Sequence, residues 1–138
     1  MISDSTLIDT IKIPSELKNI VEVEKLIDRV CELKGVKEEL YGNMLIAVTE
    51  AVNNAVIHGN CFQTQKEVEV NVSEQPGRIC FSVKDHGSGF DFDNLPDPTA
   101  PENIEKENGR GIFLIRNLAD ELEFESGGSV ANIYFSYD

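Results

Sequence analysis

The feature that most restricts the fold of this chain is a change of apolar period near residue 60. Before it, apolar side chains recur every three or four positions, first as Ile20, Val23, Ile27 and Val30 and then as Leu45, Val48, Val52 and Val56. After it they alternate, with Val68, Val70 and Val72 in one run and Ile79, Phe81 and Val83 in the next. The first spacing lines up side chains on one face of a helix and the second on one face of a strand. Two helices are therefore followed by strands that need the same apolar cover.

Breakers place the ends of these elements. Residues 7–13 alternate loosely and stop at Pro14, which predicts a first strand near a sheet edge. Ser15 is expected to cap a helix over 16–34 that Gly35 terminates. The second helix is expected from about Lys37 to His58 or Gly59, and the turn residues Glu74, Gln75, Pro76 and Gly77 predict a hairpin between the two strands that follow. Residues 85–108 lack periodicity and read as a long loop, which in a compact domain is usually functional or disordered. A third helix over 111–119 then leads to strands 121–125 and 131–137 around Gly127 and Gly128. This order predicts an α+β fold, a two-layer α/β sandwich with a mixed, mostly antiparallel sheet covered on one face by helices. At 138 residues with 41% hydrophobic content, residues 1–138 are read as a single domain.

Charge narrows the partners. Twelve basic residues against twenty-five acidic ones give a net charge of −13, with the acids spread along the whole chain. Such a field repels phosphate backbones and anionic lipid, so nucleic acid and membrane surfaces are poor partners and a basic protein is a better one. Cys31, Cys61 and Cys80 are odd in number and lie far apart, so they are read as reduced thiols rather than as a disulfide framework or a zinc site. The N-terminal segment has neither the basic start nor the apolar run of a signal peptide, and the protein is expected in the cytoplasm.

Three segments carry chemistry. In the second helix Glu50, Asn54 and His58 fall at i, i+4 and i+8, setting a carboxylate one turn from an amide oxygen: a base beside a hard-cation ligand, or simply a solvated polar face. Asp85, Gly87, Gly89 and Phe90 follow a strand directly. There the glycines admit a flat ligand and Asp85 can accept a hydrogen bond from an exocyclic amine, although an ordinary Asp-and-Gly turn has the same composition. Asn108, Gly109, Arg110 and Gly111 open the third helix, where backbone N–H groups and the positive helix end favour an anion and Arg110 could clamp a phosphate, unless the glycines merely end a loop. The Walker pattern is absent, and neither glycine pair extends to the dinucleotide-binding fingerprint.

Taken in order, ExxxNAxxHG on a helix, DxGxGF after a strand and GxG opening a helix resemble the N, G1 and G2 boxes of the ATPase superfamily of DNA gyrase, MutL and histidine kinases. The likeness is strongest to the RsbW-like anti-sigma-factor serine kinases and spans roughly residues 46–120. It implies the Bergerat, or histidine-kinase-like, ATPase fold. It also implies that Asn54 ligates Mg²⁺, Glu50 acts as general base and Asp85 binds the adenine amino group. Gly87 and Gly89 would let the base pack closely, with Phe90 completing that motif of the nucleotide site. Gly109, Arg110 and Gly111 would form the phosphate loop, and residues 91–108 a lid over ATP. Before its last strand the family often has Gly-Thr; Gly128-Ser129 here keeps the hydroxyl, which assigns Ser129 to the nucleotide site. Arg110 lies between the glycines, whereas some relatives place the phosphate arginine just before them. His58 would support the helix end.

The function so implied is an ATP- and Mg²⁺-dependent protein-serine/threonine kinase that phosphorylates a STAS-domain anti-anti-sigma partner. It would bind a sigma factor in a partner switch and form a homodimer. The alternative is a non-catalytic adaptor in which ATP only orders a protein-binding surface.

Overall fold

The structure is a computed structural model that describes residues 5–87 and 107–137, and of 107–110 the backbone only. Strand β1 (Thr6–Pro14) leads through a 3₁₀ turn (Leu17–Asn19) into helix α1 (Ile20–Lys34), and helix α2 (Glu38–Asn54) runs on into one π turn (Ala55–Gly59). Strands β2 (Glu67–Gln75) and β3 (Arg78–Lys84), helix α3 (Glu107–Leu118) and strands β4 (Glu121–Glu125) and β5 (Val130–Ser136) complete the described chain. The sheet order is β1-β2-β3-β5-β4.

Every pairing is antiparallel, so among the described strands the sheet is not mixed as expected, while the α+β two-layer arrangement is as expected. Short connections fix this for β2–β3 and β4–β5, because a parallel pair needs a crossover of a dozen or more residues, whereas β1–β2 and β3–β5 are antiparallel across long helical connections. Pro76 and Gly77 alone join β2 to β3, with Gly77 at φ 76°, a conformation that costs glycine little.

Strand alternation separates the two faces of the sheet. Val68, Val70, Val72, Ile79, Phe81, Ile133 and Phe135 are fully buried and meet Val23, Leu26, Ile27 and Val30 of α1 and Met44, Val48 and Val52 of α2 in one cluster. Each such side chain contributes about 1.5–3 kcal/mol on leaving water, which holds the helical layer on the sheet. On the opposite face Thr10, Asn71, Ser82 and Asn132 sit in register across four strands. Thr10 Oγ1 donates to Asn71 Oδ1 at 2.5 Å, Ser82 Oγ donates to Asn132 Oδ1, and Asn132 Nδ2 donates to Glu125. That polar row suits a sheet face that carries no helical layer among the described residues.

Gly35 ends α1 in the left-handed region at φ 63°, and Val36 N–H closes the turn on Cys31 O at 3.0 Å. The expectation for Ser15 is corrected. Its side chain caps no helix but is fully buried, with Oγ donating to Lys66 O, because the chain turns inward after Pro14. The cysteines are free. Cys31 packs on Met44 with its thiol pushed up to about 11 by burial, Cys80 is also raised by burial, and Cys61 is exposed. Low thiolate content makes the two buried thiols poor nucleophiles.

Phe81 and Phe135 meet edge to face with centroids 6.0 Å apart at the centre of the sheet. Replacing Phe81 by Ala is expected to lower unfolding free energy by about 3–5 kcal/mol in urea titrations, through lost burial and the cavity left behind.

Candidate functional site

Packing on the sheet decides which side of α2 is left for chemistry. With Met44, Ala47, Val48, Ala51 and Val52 buried, Glu50 and Asn54 stay half-buried on the side that meets α3. The first turns of α3 come this close because residue 111 is glycine. A Cβ on Gly111 would stand 2.8 Å from Glu50 Oε2 and 3.0 Å from Asn54 Nδ2. Asn54 Nδ2 is buried without a hydrogen-bond partner among the described residues, a costly state for an amide unless a ligand supplies an acceptor.

Beyond Asn54 the helix changes type. Asn60 N–H donates to Ala55 O at 2.7 Å, the i→i+5 bond of a π turn, so α geometry stops at Asn54 rather than running to His58 or Gly59. The wider turn rotates exposed His58 relative to the straight stripe expected from Glu50 and Asn54. It also delivers Gly59 and Asn60 to the end of β3. A Cβ on Gly59 would overlap the Asp85 carboxylate, standing 2.7 Å from Oδ1, and one on Gly87 would overlap the Gly59 carbonyl.

The loop after β3 is pinned at three successive amides. Asp85 N–H donates to Ser129 O at 2.9 Å, His86 N–H to Asn60 Oδ1 at 2.7 Å and Gly87 N–H to Asp85 Oδ1 at 2.7 Å. Burial raises the pKa of Asp85, opposed by the Gly87 N–H bond and by the positive potential of His86. A cleft of about 540 Å³, counting its open mouth, is lined by Asn54, Asp85, Ser129, Ala51, Ile112 and Phe124 among others. Apolar walls with a few convergent polar groups are what a flat heterocycle carrying a charged tail requires.

Of the residues singled out from sequence, Asn54, His58, Asp85 and Ser129 line this one cleft, and Glu50 and Gly111 adjoin it at Asn54. Gly87 packs beneath, on Gly59. Ser129 Oγ donates to Ser126 O at 3.1 Å, within its own turn, while its carbonyl holds Asp85. Gly109 and Arg110 lie in the first turn of α3 by backbone, so the helix begins before the glycines instead of after them. Gly89, Phe90 and the lid segment through residue 106 lie outside the described residues. Sequence reasoning missed Asn60 and the close packing of Gly59; asparagine is a residue type mostly found exposed, and nothing local marks it as buried.

Fold and cleft together define a class, the two-layer ATPase sandwich that offers a nucleotide site between a long helix and the ends of the central strands. The chain belongs to the histidine kinase-like ATPase domain family, whose profile matches residues 13–135. Its curated relatives include the serine-protein kinase RsbW of Bacillus velezensis, 31% identical over 91% of this chain and 84% of that protein. The RsbW of Bacillus cereus is 29% identical over 81% of this chain and 73% of that one. The RsbW of Oceanobacillus iheyensis is 26% identical over 83% and 77%. Among solved structures, that of the RsbU and RsbW domains of Rv1364c from Mycobacterium tuberculosis superposes with a TM-score of 0.65 at 16% identity. This likeness of fold covers 94% of this chain and 31% of the longer one. No helix among the described residues is long and apolar enough to cross a membrane.

The glycines differ in what opposes a side chain. Gly87→Ala meets fixed backbone and is expected to cost about 2 kcal/mol or more, whereas Gly111→Ala meets a flexible carboxylate and an amide and should cost less. Thermal melts of both variants check the ranking.

Proposed function

We propose that residues 1–138 act as one ATPase unit and that the protein is a serine/threonine kinase of the anti-sigma-factor type, using ATP with Mg²⁺. The observation that carries this reading is the Asn54 carboxamide, held between Glu50 and the first turns of α3 with its Nδ2 buried and without a partner among the described residues. Nδ2 needs an acceptor of the kind a phosphate oxygen offers, and the other atom of the same amide is a neutral hard oxygen suited to Mg²⁺. Mg²⁺, when bound, would be held by Asn54 and would offset the charge of the phosphates.

In this reading Asp85 accepts a hydrogen bond from the adenine amine while Gly87, Gly89 and Phe90 receive the base. Gly109, Arg110, Gly111 and Ser129 serve the phosphates, and residues 91–108 form the lid. Glu50 takes the proton from a substrate serine or threonine hydroxyl. The freed oxygen bonds to the γ-phosphorus, the bond from that phosphorus to the β–γ bridging oxygen breaks, and ADP leaves with the electron pair. Positioning and charge stabilisation supply most of the rate. The substrate is a STAS-domain anti-anti-sigma protein that competes with a sigma factor for this chain, which acts as a homodimer in the cytoplasm. A net charge of −13 suits a basic sigma factor, and a phosphate added to the STAS domain would weaken its contact with this acidic surface.

The deciding experiment adds the purified protein, γ-labelled ATP and Mg²⁺ to a lysate of its source cells, beside the Glu50→Gln variant. Labelling of one small protein by the wild type, reduced about 100-fold or more in Glu50→Gln with ATP binding intact, is the expected result. Equal labelling in both lanes would instead favour the nucleotide-gated adaptor.

Asp85 supplies a pH test. Because its pKa is raised in the folded protein, its ionised form weakens stability as pH rises through that value. Asp85→Asn is therefore expected to melt at the same or a higher temperature at pH 7. The adenine amine favours the carboxylate, so wild-type affinity for ATP should fall as acidification passes the raised pKa, above the usual aspartate range. Asp85→Asn should bind ATP at least tenfold more weakly and lack that component, as calorimetric titrations across pH would register.

A further inference from the structure

We propose that Asn60 is the positioning residue of the nucleotide site. Its carboxamide would set loop 85–87 against the end of α2 and so determine the preference for ATP over GTP. The inference rests on the reading of Asp85 as the adenine contact and goes beyond it to a residue that touches no nucleotide.

Asn60 is 1% exposed, and both ends of its amide are engaged. Oδ1 accepts His86 N–H at 2.7 Å. Nδ2 lies 2.9 Å from Ser15 Oγ and 3.2 Å from both Lys66 O and Glu67 O, so its two hydrogens are shared among three acceptors. The side chain thereby ties four places together: the end of the π turn, the exit of β1, the entry to β2 and the loop after β3. Aspartate would set a charge against those three oxygens, and leucine would leave their partners unmet.

Its effect on the loop follows from the order of the amides. Asp85 N–H is held by the neighbouring β4–β5 turn through Ser129 O, and Gly87 N–H by the carboxylate of Asp85 itself. His86 N–H, between them, has Asn60 Oδ1 as its one acceptor among the described residues. Without it, Gly87 and the Asp85 carboxylate can swing together away from Gly59, since among the described residues no other acceptor holds the His86 N–H. Directional bonding to an exocyclic amine suffers first from such a shift. Phosphate contacts at Asn54 and α3 lie on other elements and should be spared. GTP presents a carbonyl where ATP presents the amine, so its binding gains nothing from a correctly placed Asp85.

The test measures dissociation constants of ATP and GTP, with Mg²⁺, for the wild type, Asn60→Ala, Asn60→Asp and Ser15→Ala, alongside thermal melts. Asn60→Ala should weaken ATP about tenfold and leave GTP within about twofold, so that the preference shrinks. Asn60→Asp keeps the acceptor for His86 N–H and should keep the preference despite a lower melting temperature. Ser15→Ala removes a partner from the other side of Asn60 and should lower the melting temperature with the ATP:GTP ratio unchanged, which separates positioning from general stability. A wild-type ratio in folded Asn60→Ala, or an equal loss of ratio in Ser15→Ala, would overturn the proposal while leaving the ATP reading intact. Should Asn60→Ala not fold, loss of preference in folded Asn60→Asp overturns it. A wild type that binds neither nucleotide brings down the ATP reading and this proposal together.

Discussion

The site depends on how closely two pieces of backbone approach, the end of α2 at Gly59 and the loop after β3 at Gly87. Neither position has room for a Cβ, since one would overlap the Asp85 carboxylate and the other the Gly59 carbonyl. Hydrophobic packing brings the two elements to the same place, because Val48, Val52 and Val56 of the helix and Phe81 and Val83 of the strand belong to one buried cluster. The final approach is then set by what each backbone can tolerate. Asn60 supplies the polar half of this contact by satisfying a loop amide that the sheet does not reach.

A second consequence of the layering is the division of labour along α2. Its apolar stripe is spent on the sheet, so Glu50 and Asn54 face the side where α3 lies, and the glycine at 111 lets that helix come within contact of both. The π turn that follows is part of the same arrangement. It widens the helix end just where the chain must deliver Gly59 and Asn60 to β3. The strand end brings Asp85 into the same cleft from the opposite side, half-buried and held through its own loop.

Much of this was legible in the sequence, for identifiable reasons. The runs at 68–72 and 79–83 alternate cleanly because one sheet face is buried and the other carries polar residues such as Asn71 and Ser82, and the hairpin was marked by Pro76 and Gly77. The stripe of Glu50 and Asn54 was visible because α geometry holds between them. Ser15 was misread since a serine after Pro14 looks like a helix cap, whereas its hydroxyl donates to the residue just before β2, 51 positions along the chain, at Lys66 O. The start of α3 was placed too late because Gly109 and Gly111 look like loop residues, although glycine is tolerated in a helix whose first turns press on another helix.

What the sequence determined by itself was the kind and order of the elements, the apolar faces they share and the residue types available for a nucleotide site. Those properties follow from local period and backbone preference, which neighbouring residues express without reference to the rest of the chain. Tertiary structure alone decided the antiparallel order β1-β2-β3-β5-β4, the π turn after Asn54, and the meeting of Gly59, Asn60 and Ser15 with residues far from them in sequence. Such contacts carry no local period. They arise only when the helical layer settles on the sheet and every buried polar atom must find a partner within reach.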